Sequence, residues 1–418
     1  MRPWLPLLTG LALLAATAAA ADVAPKKLLV YYSWPSVIHG APGPADPVDR
    51  FAEYEYVVLG GGLESVAHPE HAFTVSLVAD PRLANTSVFG YVDLGVTNGG
   101  QNLTPAQIQS AIQAWAAMGV AGVLLDDFGY EYGTSRDRQN QALDWVHAEG
   151  LSAIANAWVP ADAFDAAIHP LNPGGAASHA NASDFYLYES FRIRLDQYET
   201  ESEWRTKADA LEGYRAQLGF RVLGVTTTAI DDTTSYDESQ FFHAWYSALL
   251  SGYEAVGVGE YVYSATGASN GWSPVYPRPD VLPGESFLGP IQQSGSDYFR
   301  DTTLGRVTVN PATHTYSFAP HSTAAVASTS AAPARSFPEP FRDDVELRLA
   351  TPAANVADLT LWDVRGRRIR TLRPTDAARG DFRWDGRDET GREVPAGIYF
   401  WSARHGSTRT SGRVTKVH

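Results

Sequence analysis

Two adjacent acids, Asp126 and Asp127, follow directly after the apolar run of residues 119–125. A short continuous apolar run of this kind is typical of a buried parallel strand. Desolvating an unpaired carboxylate costs several kcal/mol, so acids at the end of such a strand usually lie where solvent or a ligand reaches them. Because carboxylates can transfer protons or act as nucleophiles, residues 119–130 predict an active-site strand.

The upstream part of the chain alternates short β-rich apolar runs with helical patterns, which favours βα units and a parallel sheet. Eight strands are predicted, over residues 28–34, 54–60, 88–94, 120–127, 151–158, 184–190, 221–228 and 255–262. Between them, Thr104, Pro105 and Gln107 form a capping-box start for a helix. Residues 236–250 carry Phe241 and Trp245 at helical spacing, which predicts a core-facing helix. The predicted fold is therefore α/β, a (β/α)8 TIM barrel.

In such a barrel the carboxyl ends of all strands surround one mouth, so residues far apart in sequence converge there. The predicted ends carry acids, an amide and aromatic residues: Tyr32 on the first strand, Tyr91 and Asp93 on the third, Asp126 and Asp127 on the fourth, Asn156 and Trp158 on the fifth, Tyr188 and Glu189 on the sixth, and Glu260 on the eighth. Carboxylates among aromatic rings are what glycoside hydrolysis requires. One acid protonates the leaving oxygen, and a second carboxylate attacks the anomeric carbon or activates water.

Some of these residues have alternative roles. Side chains alternate across a regular strand, so only one of Asp126 and Asp127 should face the mouth, and the residues alone do not decide which. An ion pair with Arg192 or Arg194 would give Glu260 a structural role. Trp158 would equally suit an ordinary core position.

The first 21 residues have the pattern of a secretory signal peptide, with Arg2 before an apolar segment that ends in a run of alanines. They predict a secreted protein, extracellular or at a bacterial cell surface or periplasm. The chain has no cysteine, which excludes disulfides and thiolate metal sites. No later run reaches the length of a membrane span, and no metal site or cofactor is predicted.

Residues 322–334, rich in Ser, Thr and Ala, predict a flexible tether. Divided at Pro340, the chain has a net charge of −19 upstream and +4 downstream. The acidic upstream part argues against nucleic acid as a partner. We predict a barrel over residues 22–320, a linker over 321–337 and a small all-β sandwich over 338–418, with strands at 345–349, 356–364, 382–384 and 397–403.

Four segments, residues 89–95, 119–127, 154–156 and 185–190, resemble in order and spacing the barrels of glycoside hydrolase family 114, the endo-α-1,4-polygalactosaminidase type. The resemblance covers residues 27–264. It implies that Asp126 is the nucleophile and Glu189 the acid/base of a retaining glycosidase, and that the substrate is an amino-sugar (galactosamine-type) exopolysaccharide. Asp93 and Val96 stand where the family usually has Ser and Glu, so reaction class carries over better than substrate.

Residues 361–367, 384–388 and 395–400 resemble the Ig-like domain of flagellar hook-capping proteins, which implies sorting or cell-surface attachment; a structural spacer is the alternative. For the whole chain two hypotheses follow. One is a secreted glycoside hydrolase, and the other is a non-catalytic carbohydrate-binding or envelope-scaffold protein with a degenerate barrel. The separation of the Asp126 and Glu189 carboxyls discriminates between them, since about 5 Å suits a retaining enzyme, roughly 6.5 to 9.5 Å suits an inverting one, and much larger separations suit neither.

Overall fold

The computed structural model describes residues 22–40, 46–228, 237–259, 277–321, 335–338, 340–348, 359–363, 368–375, 381–405 and 408–417. The predicted signal peptide, Glu260 and most of the predicted linker lie outside these described residues. The chain divides into two compact units, Met1–Ser322 and Thr323–His418. Within the described ranges, none of the helices has the length and apolar character that crossing a bilayer requires.

Eight parallel strands close into a barrel in the order β1-β8-β7-β6-β5-β4-β3-β2. The strands are β1 Lys26–Tyr31, β2 Tyr56–Leu59, β3 Ser87–Asp93, β4 Gly122–Asp126, β5 Ser152–Ala155, β6 Phe185–Glu189, β7 Arg221–Thr227 and β8 Ala255–Gly259. Each corresponds to one predicted strand, and the predicted (β/α)8 architecture is confirmed. The predicted ends of β1 and β5 extend three residues beyond the observed ones, and residues 260–262 of the predicted eighth strand lie outside the described residues.

Seven α-helices belong to the described part of this unit: α1 Pro47–Phe51, α2 His71–Val78, α3 Pro105–Ala117, α4 Arg136–Ala148, α5 Pro160–Phe164, α6 Glu201–Leu218 and α7 Glu238–Ser251. The predicted capping box starts α3, where Gln107 N donates to Thr104 Oγ1 and Thr104 N donates to Gln107 Oε1. Phe241 and Trp245 of α7 are buried, so the predicted core role of this helix face is confirmed.

Alternation along the strands separates two apolar layers. Leu124, Ile154 and Leu187 belong to the cluster that fills the barrel interior. Their neighbours in sequence, such as Leu125 and Tyr188, belong to the larger cluster between the sheet and the surrounding helices. A residue at a strand end therefore reaches the mouth only if it has the same parity as the interior cluster.

A four-stranded antiparallel sheet follows the barrel strands and was not predicted. It consists of β9 Gln292–Ser294, β10 Asp297–Asp301, β11 Gly305–Asn310 and β12 Thr315–Pro320, in that order. Val307 and Val309 of β11 are fully buried in the main core, and Tyr316 stacks on Tyr246 of α7 with ring centroids 4.8 Å apart. The sheet thus covers one outer helix of the barrel.

The second unit is all-β. One sheet has the order β13-β14-β17 and the other β16-β15-β18-β19. The strands are β13 Arg335–Phe337, β14 Val345–Arg348, β15 Leu359–Asp363, β16 Arg368–Leu372, β17 Asp381–Trp384, β18 Gly397–His405 and β19 Thr408–Lys416. Leu347 and Trp384 of the first sheet share a core with Leu361 and Trp401 of the second, which confirms the predicted all-β sandwich. Its Ig-like relationship stays a prediction.

Candidate active site

The structure distinguishes the two adjacent acids after β4. Asp126 is the last residue of the strand and has the parity of Leu124 in the barrel interior. Asp127 leaves the strand with a φ of 51°, a left-handed conformation. Its carboxylate packs against Gly95, where a Cβ would lie 2.6 Å from Asp127 Oδ2. Asp126 alone therefore extends the inward-facing row of β4.

Two neutral donors hold the Asp126 carboxylate. Tyr91 Oη on β3 donates to Asp126 Oδ2 at 2.7 Å, and Asn156 Nδ2, directly after β5, donates to Asp126 Oδ1 at 2.9 Å. The Tyr32 ring lies edge-on to Tyr91, with centroids 5.5 Å apart. Two predicted site residues, Tyr91 and Asn156, thus bind Asp126, and a third, Tyr32, packs against Tyr91.

Asn156 also connects Asp126 to Glu189, the last residue of β6. The same Nδ2 atom donates to Glu189 Oε2 at 3.4 Å. Because one nitrogen contacts both carboxylates, the two bonded oxygens lie no more than about 6.3 Å apart, which is within the range in which two carboxyls can act on one glycosidic bond. The structure brings the predicted catalytic pair together.

Crowding of acids perturbs this site. Burial raises the pKa of Asp126, and the hydrogen bonds from Tyr91 and Asn156 oppose that rise. Burial, and then the negative charge of Asp126, raise the pKa of Glu189 above its ordinary value. Burial together with Asp126 and the other nearby acids raises the pKa of Asp127 to about 8. Asp127 therefore keeps its proton to a higher pH than an isolated carboxyl would, and the pKa values of Asp126 and Glu189 shift in the same direction.

Asp93 has a role in the loop after β3. Its Oδ1 accepts from Gly95 N at 2.6 Å and its Oδ2 accepts from Gln101 N at 2.9 Å. The side chain is buried. Both carboxylate oxygens are thus engaged by the backbone, and the contact of Asp93 with a substrate stays a prediction.

Tyr188 lies away from the mouth. It is adjacent to the inward-facing Glu189 and therefore points to the opposite side of β6, where it is only 1% exposed. Its hydroxyl donates to Glu199 Oε1 at 2.6 Å, and its ring packs on Phe191. The structure thus corrects the prediction that Tyr188 faces a substrate, because alternation assigns it to the layer between sheet and helices.

Trp158 is 39% exposed, so the alternative of an ordinary core residue does not hold. Its backbone N donates to Glu131 Oε1 at 2.8 Å. Lys207 Nζ lies 4.5 Å and Arg194 Cζ 4.8 Å from the Trp158 ring centroid. Burial lowers the pKa of Lys207 to about 8, against the opposing effect of Glu199 and Glu189. These are cation–π contacts beside the acid pair.

Sequence reasoning missed Glu131 and Lys207 and assigned Arg194 only as an ion-pair partner for Glu260. Glu131 had a usable signal, since it lies in the loop directly after the strand-4 acids. Lys207 had none, because it is one polar residue among many on α6. Glu260 lies outside the described residues.

Across the described ranges, no group of three or more His, Asp or Glu side chains is arranged to hold a metal ion. The prediction that the site works without a metal or cofactor stays a prediction.

No family model matches the chain, and no curated protein matches it. Among solved structures, a D-psicose 3-epimerase in the presence of D-fructose is 10% identical, with a TM-score of 0.37, over 59% of this chain and 88% of that one. A GH5-4 broad-specificity endoglucanase from Clostridium longisporum is 10% identical, with a TM-score of 0.36, over 56% and 85%.

The chain spans 17% of PorZ, a bacterial surface component of the type-IX secretion system of Porphyromonas gingivalis, over 32% of its own length, at 14% identity and a TM-score of 0.18. Likeness at these levels assigns no activity to the chain. The resemblance to family 114 stays a prediction.

Proposed function

We propose that the barrel unit is a glycoside hydrolase that cleaves a polysaccharide by a retaining, two-carboxylate mechanism. The observation that carries the proposal is the Asn156 amide, which donates to both Asp126 and Glu189. The resulting upper limit of about 6.3 Å between the bonded oxygens includes the roughly 5 to 5.5 Å of retaining enzymes and lies below the roughly 6.5 to 9.5 Å of inverting ones.

The surroundings of Asp126 and Glu189 favour different roles for the two carboxyls. Asp126 accepts hydrogen bonds from Tyr91 and Asn156, which favour its ionised form and fix its oxygens for attack. Glu189 has one longer hydrogen bond, and its pKa is raised by burial and by the charge of Asp126, which favours its protonated form. Asp126 is therefore the nucleophile and Glu189 the acid/base in this proposal.

The reaction proceeds in two displacements. The Asp126 carboxylate attacks the anomeric carbon and forms an ester bond while the glycosidic C–O bond breaks and Glu189 gives its proton to the leaving oxygen. A water molecule then attacks the same carbon and gives a proton to Glu189, and the ester bond breaks to regenerate the Asp126 carboxylate. The exposed Trp158 supplies an aromatic face for a sugar ring near the cleaved bond.

We place the enzyme outside the cytoplasm, as a secreted or cell-surface protein, with the C-terminal unit serving sorting or attachment. An amino-sugar (galactosamine-type) exopolysaccharide is one substrate class to test. It is the substrate class that the resemblance to glycoside hydrolase family 114 implies. Nucleic acid is not expected as a partner.

The test is release of reducing ends from a panel of microbial polysaccharides by the purified protein. Asp126→Asn and Glu189→Gln should each abolish release while the thermal unfolding midpoint stays near that of the wild type. Asp137→Asn is the matched control, since Asp137 is an exposed acid on α4. Full activity in both site variants would overturn the assignment. Binding without hydrolysis would favour a non-catalytic carbohydrate-binding protein or envelope scaffold.

A further inference from the structure

Two cations from separate elements converge on the exposed indole of Trp158. Arg194 ends the first strand of the short hairpin Ile193–Arg194 and Gln197–Tyr198, and Lys207 belongs to α6. The hairpin turns through Leu195 and Asp196, both with positive φ, a two-residue turn that fixes the direction of Arg194. Both cations are therefore mounted on ordered elements at the same aromatic ring.

Within the described part of the chain, neither Arg194 nor Lys207 has a carboxylate oxygen within the 4.0 Å of an ion pair. Their neighbours do: Arg205, also on α6, pairs with Asp209, and Arg192 Nη1 lies 3.9 Å from Glu199 Oε2. The half-buried Lys207 ammonium lies 4.5 Å from the centroids of both the Trp158 and the Tyr188 ring, within electrostatic reach of Glu199 and Glu189. These contacts compensate part of its lost hydration, and an anionic ligand would supply the direct counter-charge that is missing.

The cations lie next to the proposed reaction centre. Trp158 follows Asn156 by two residues, and Asn156 contacts both Asp126 and Glu189. Lys207 and Arg194 each act to lower the pKa of Glu189 against the effect of burial, so their charges are within electrostatic reach of that carboxyl. A sugar ring on Trp158 would therefore be bound close to the cleaved bond.

We propose that Trp158, Arg194 and Lys207 form a subsite for a sugar with an anionic substituent, so that the polysaccharide carries carboxylate or sulfate groups. The exposed part of the indole would contact the sugar ring, while the Arg194 guanidinium, which already lies over the indole, would pair with two oxygens of the anion and Lys207 would add a point charge. Repulsion by the Asp126 carboxylate would keep the anion on the cation side of the ring. This inference rests on the proposed function and specifies the substrate class of that site.

Binding to Asp126→Asn tests the subsite without turnover. The probes are oligosaccharides of polygalacturonate, alginate, hyaluronan and carrageenan, each with its neutralised counterpart, a methyl ester for the uronates and a desulfated form for carrageenan. Chitosan oligosaccharides form the cationic arm. At least one acidic probe should bind about tenfold more tightly than its own neutral counterpart, with an advantage that shrinks as salt is added.

Arg194→Met with Lys207→Met should remove that advantage and leave binding of the neutral counterpart within about twofold, since methionine keeps most of the packing. Arg194→Lys with Lys207→Arg should retain most of it. Arg205→Met is the matched control, because Arg205 is a cation of the same helix that lies over Trp204 and Tyr298. Thermal unfolding checks that every variant is folded.

Acidic probes that bind no better than their neutral counterparts would overturn the subsite, as would a preference that survives in the double Met variant or a stronger affinity for chitosan. The uronate and sulfate probes distinguish the two sources of anion. Failure of the proposed function gives a different result: the preference for acidic probes persists, but the wild type hydrolyses none of them.

Discussion

The pKa values of acids shift in opposite directions at the two ends of the barrel. At the amino end, Glu254 accepts from Lys26 Nζ at 2.6 Å and from Tyr56 Oη at 2.8 Å. Burial opposes ionisation there, yet these two partners outweigh it and hold the pKa of Glu254 below its ordinary value. At the carboxyl end, Asp126 and Glu189 share a neutral amide, and both pKa values are raised.

This difference separates an acid that stabilises the fold from acids that can react. A paired carboxylate is settled in one ionisation state across the neutral range, whereas crowded carboxyls exchange protons near the pH at which an enzyme operates. Placing several carboxyls close together destabilises the folded state. Their occurrence at the carboxyl end, where barrel enzymes carry their catalytic residues, is therefore the pattern expected of a reaction site. Substitutions at the two ends should consequently have opposite effects on activity and stability.

The largest effect is expected for Asp126→Asn. Loss of the nucleophile should reduce kcat by at least about 1000-fold, while removal of one charge from a crowded group should leave the unfolding midpoint unchanged or raise it. Initial rates of reducing-end release and thermal unfolding of the same preparations measure both. A variant that keeps the wild-type rate would contradict a catalytic role for Asp126 and remove the contrast between the two ends of the barrel.

Glu189→Gln should have the next largest effect, and one that depends on the leaving group. With a natural polysaccharide the rate should fall about 100- to 1000-fold, because no acid protonates the leaving oxygen. With an aryl glycoside whose phenol leaves without protonation, the first step should be much less affected. Comparison of the two substrate types checks this, and equal losses on both would contradict an acid/base role for Glu189.

Glu254→Gln should lower the stability of the protein and leave its activity nearly unchanged. It removes the charge paired with Lys26, so the free energy of unfolding should fall by about 1 to 2 kcal/mol at pH 7 and activity should stay within about twofold. The pKa of Glu254 is lowered in the folded state, so this stability is present above the unfolded pKa and is lost as pH falls through the folded one. Urea unfolding at pH 7 and pH 3 measures the change; an undiminished difference at pH 3 would be inconsistent with the ion pair.

The smallest effect is expected for Asp127→Asn. Because the folded pKa of Asp127 is raised to about 8, wild-type stability should decline as pH rises from the unfolded pKa near 4 through 8. Asn tolerates the left-handed φ and carries no charge, so the variant should be about 1 kcal/mol more stable at pH 9 and equal to the wild type near pH 4. Urea unfolding across that range, with Asp137→Asn as control, measures it; a pH-independent difference would contradict the raised pKa.

Local sequence pattern was sufficient for the barrel and for the convergence of Asp126, Asn156 and Glu189. Apolar runs gave all eight strands, and parallel strands that close a barrel must bring their ends together. Alternation also excludes Tyr188 from the mouth, since it is adjacent to the inward-facing Glu189 in β6.

Other features depended on contacts between distant segments. The choice of Asp126 over Asp127 rests on the positive φ of Asp127 and on its packing against Gly95, neither of which a strand pattern encodes. Lys207 of α6 lies over the rings of Trp158 and Tyr188, and these contacts between distant segments form only in the folded chain. The sheet β9–β12 was missed although β11 and β12 alternate apolar and polar residues; its outer strand β9 has no apolar residue, and β12 is largely exposed.

The central claim is that Asp126 bonds covalently to the sugar. Incubation with a 2-deoxy-2-fluoro glycosyl fluoride of the sugar that the enzyme prefers should trap that intermediate, because the fluorine slows its hydrolysis. Intact-mass analysis should then show one added glycosyl group, and fragmentation of the peptide that contains Asp126 and Asp127 should place it on Asp126. An adduct on Asp127 or Glu189, or no adduct together with inversion of the product anomer, would contradict the account.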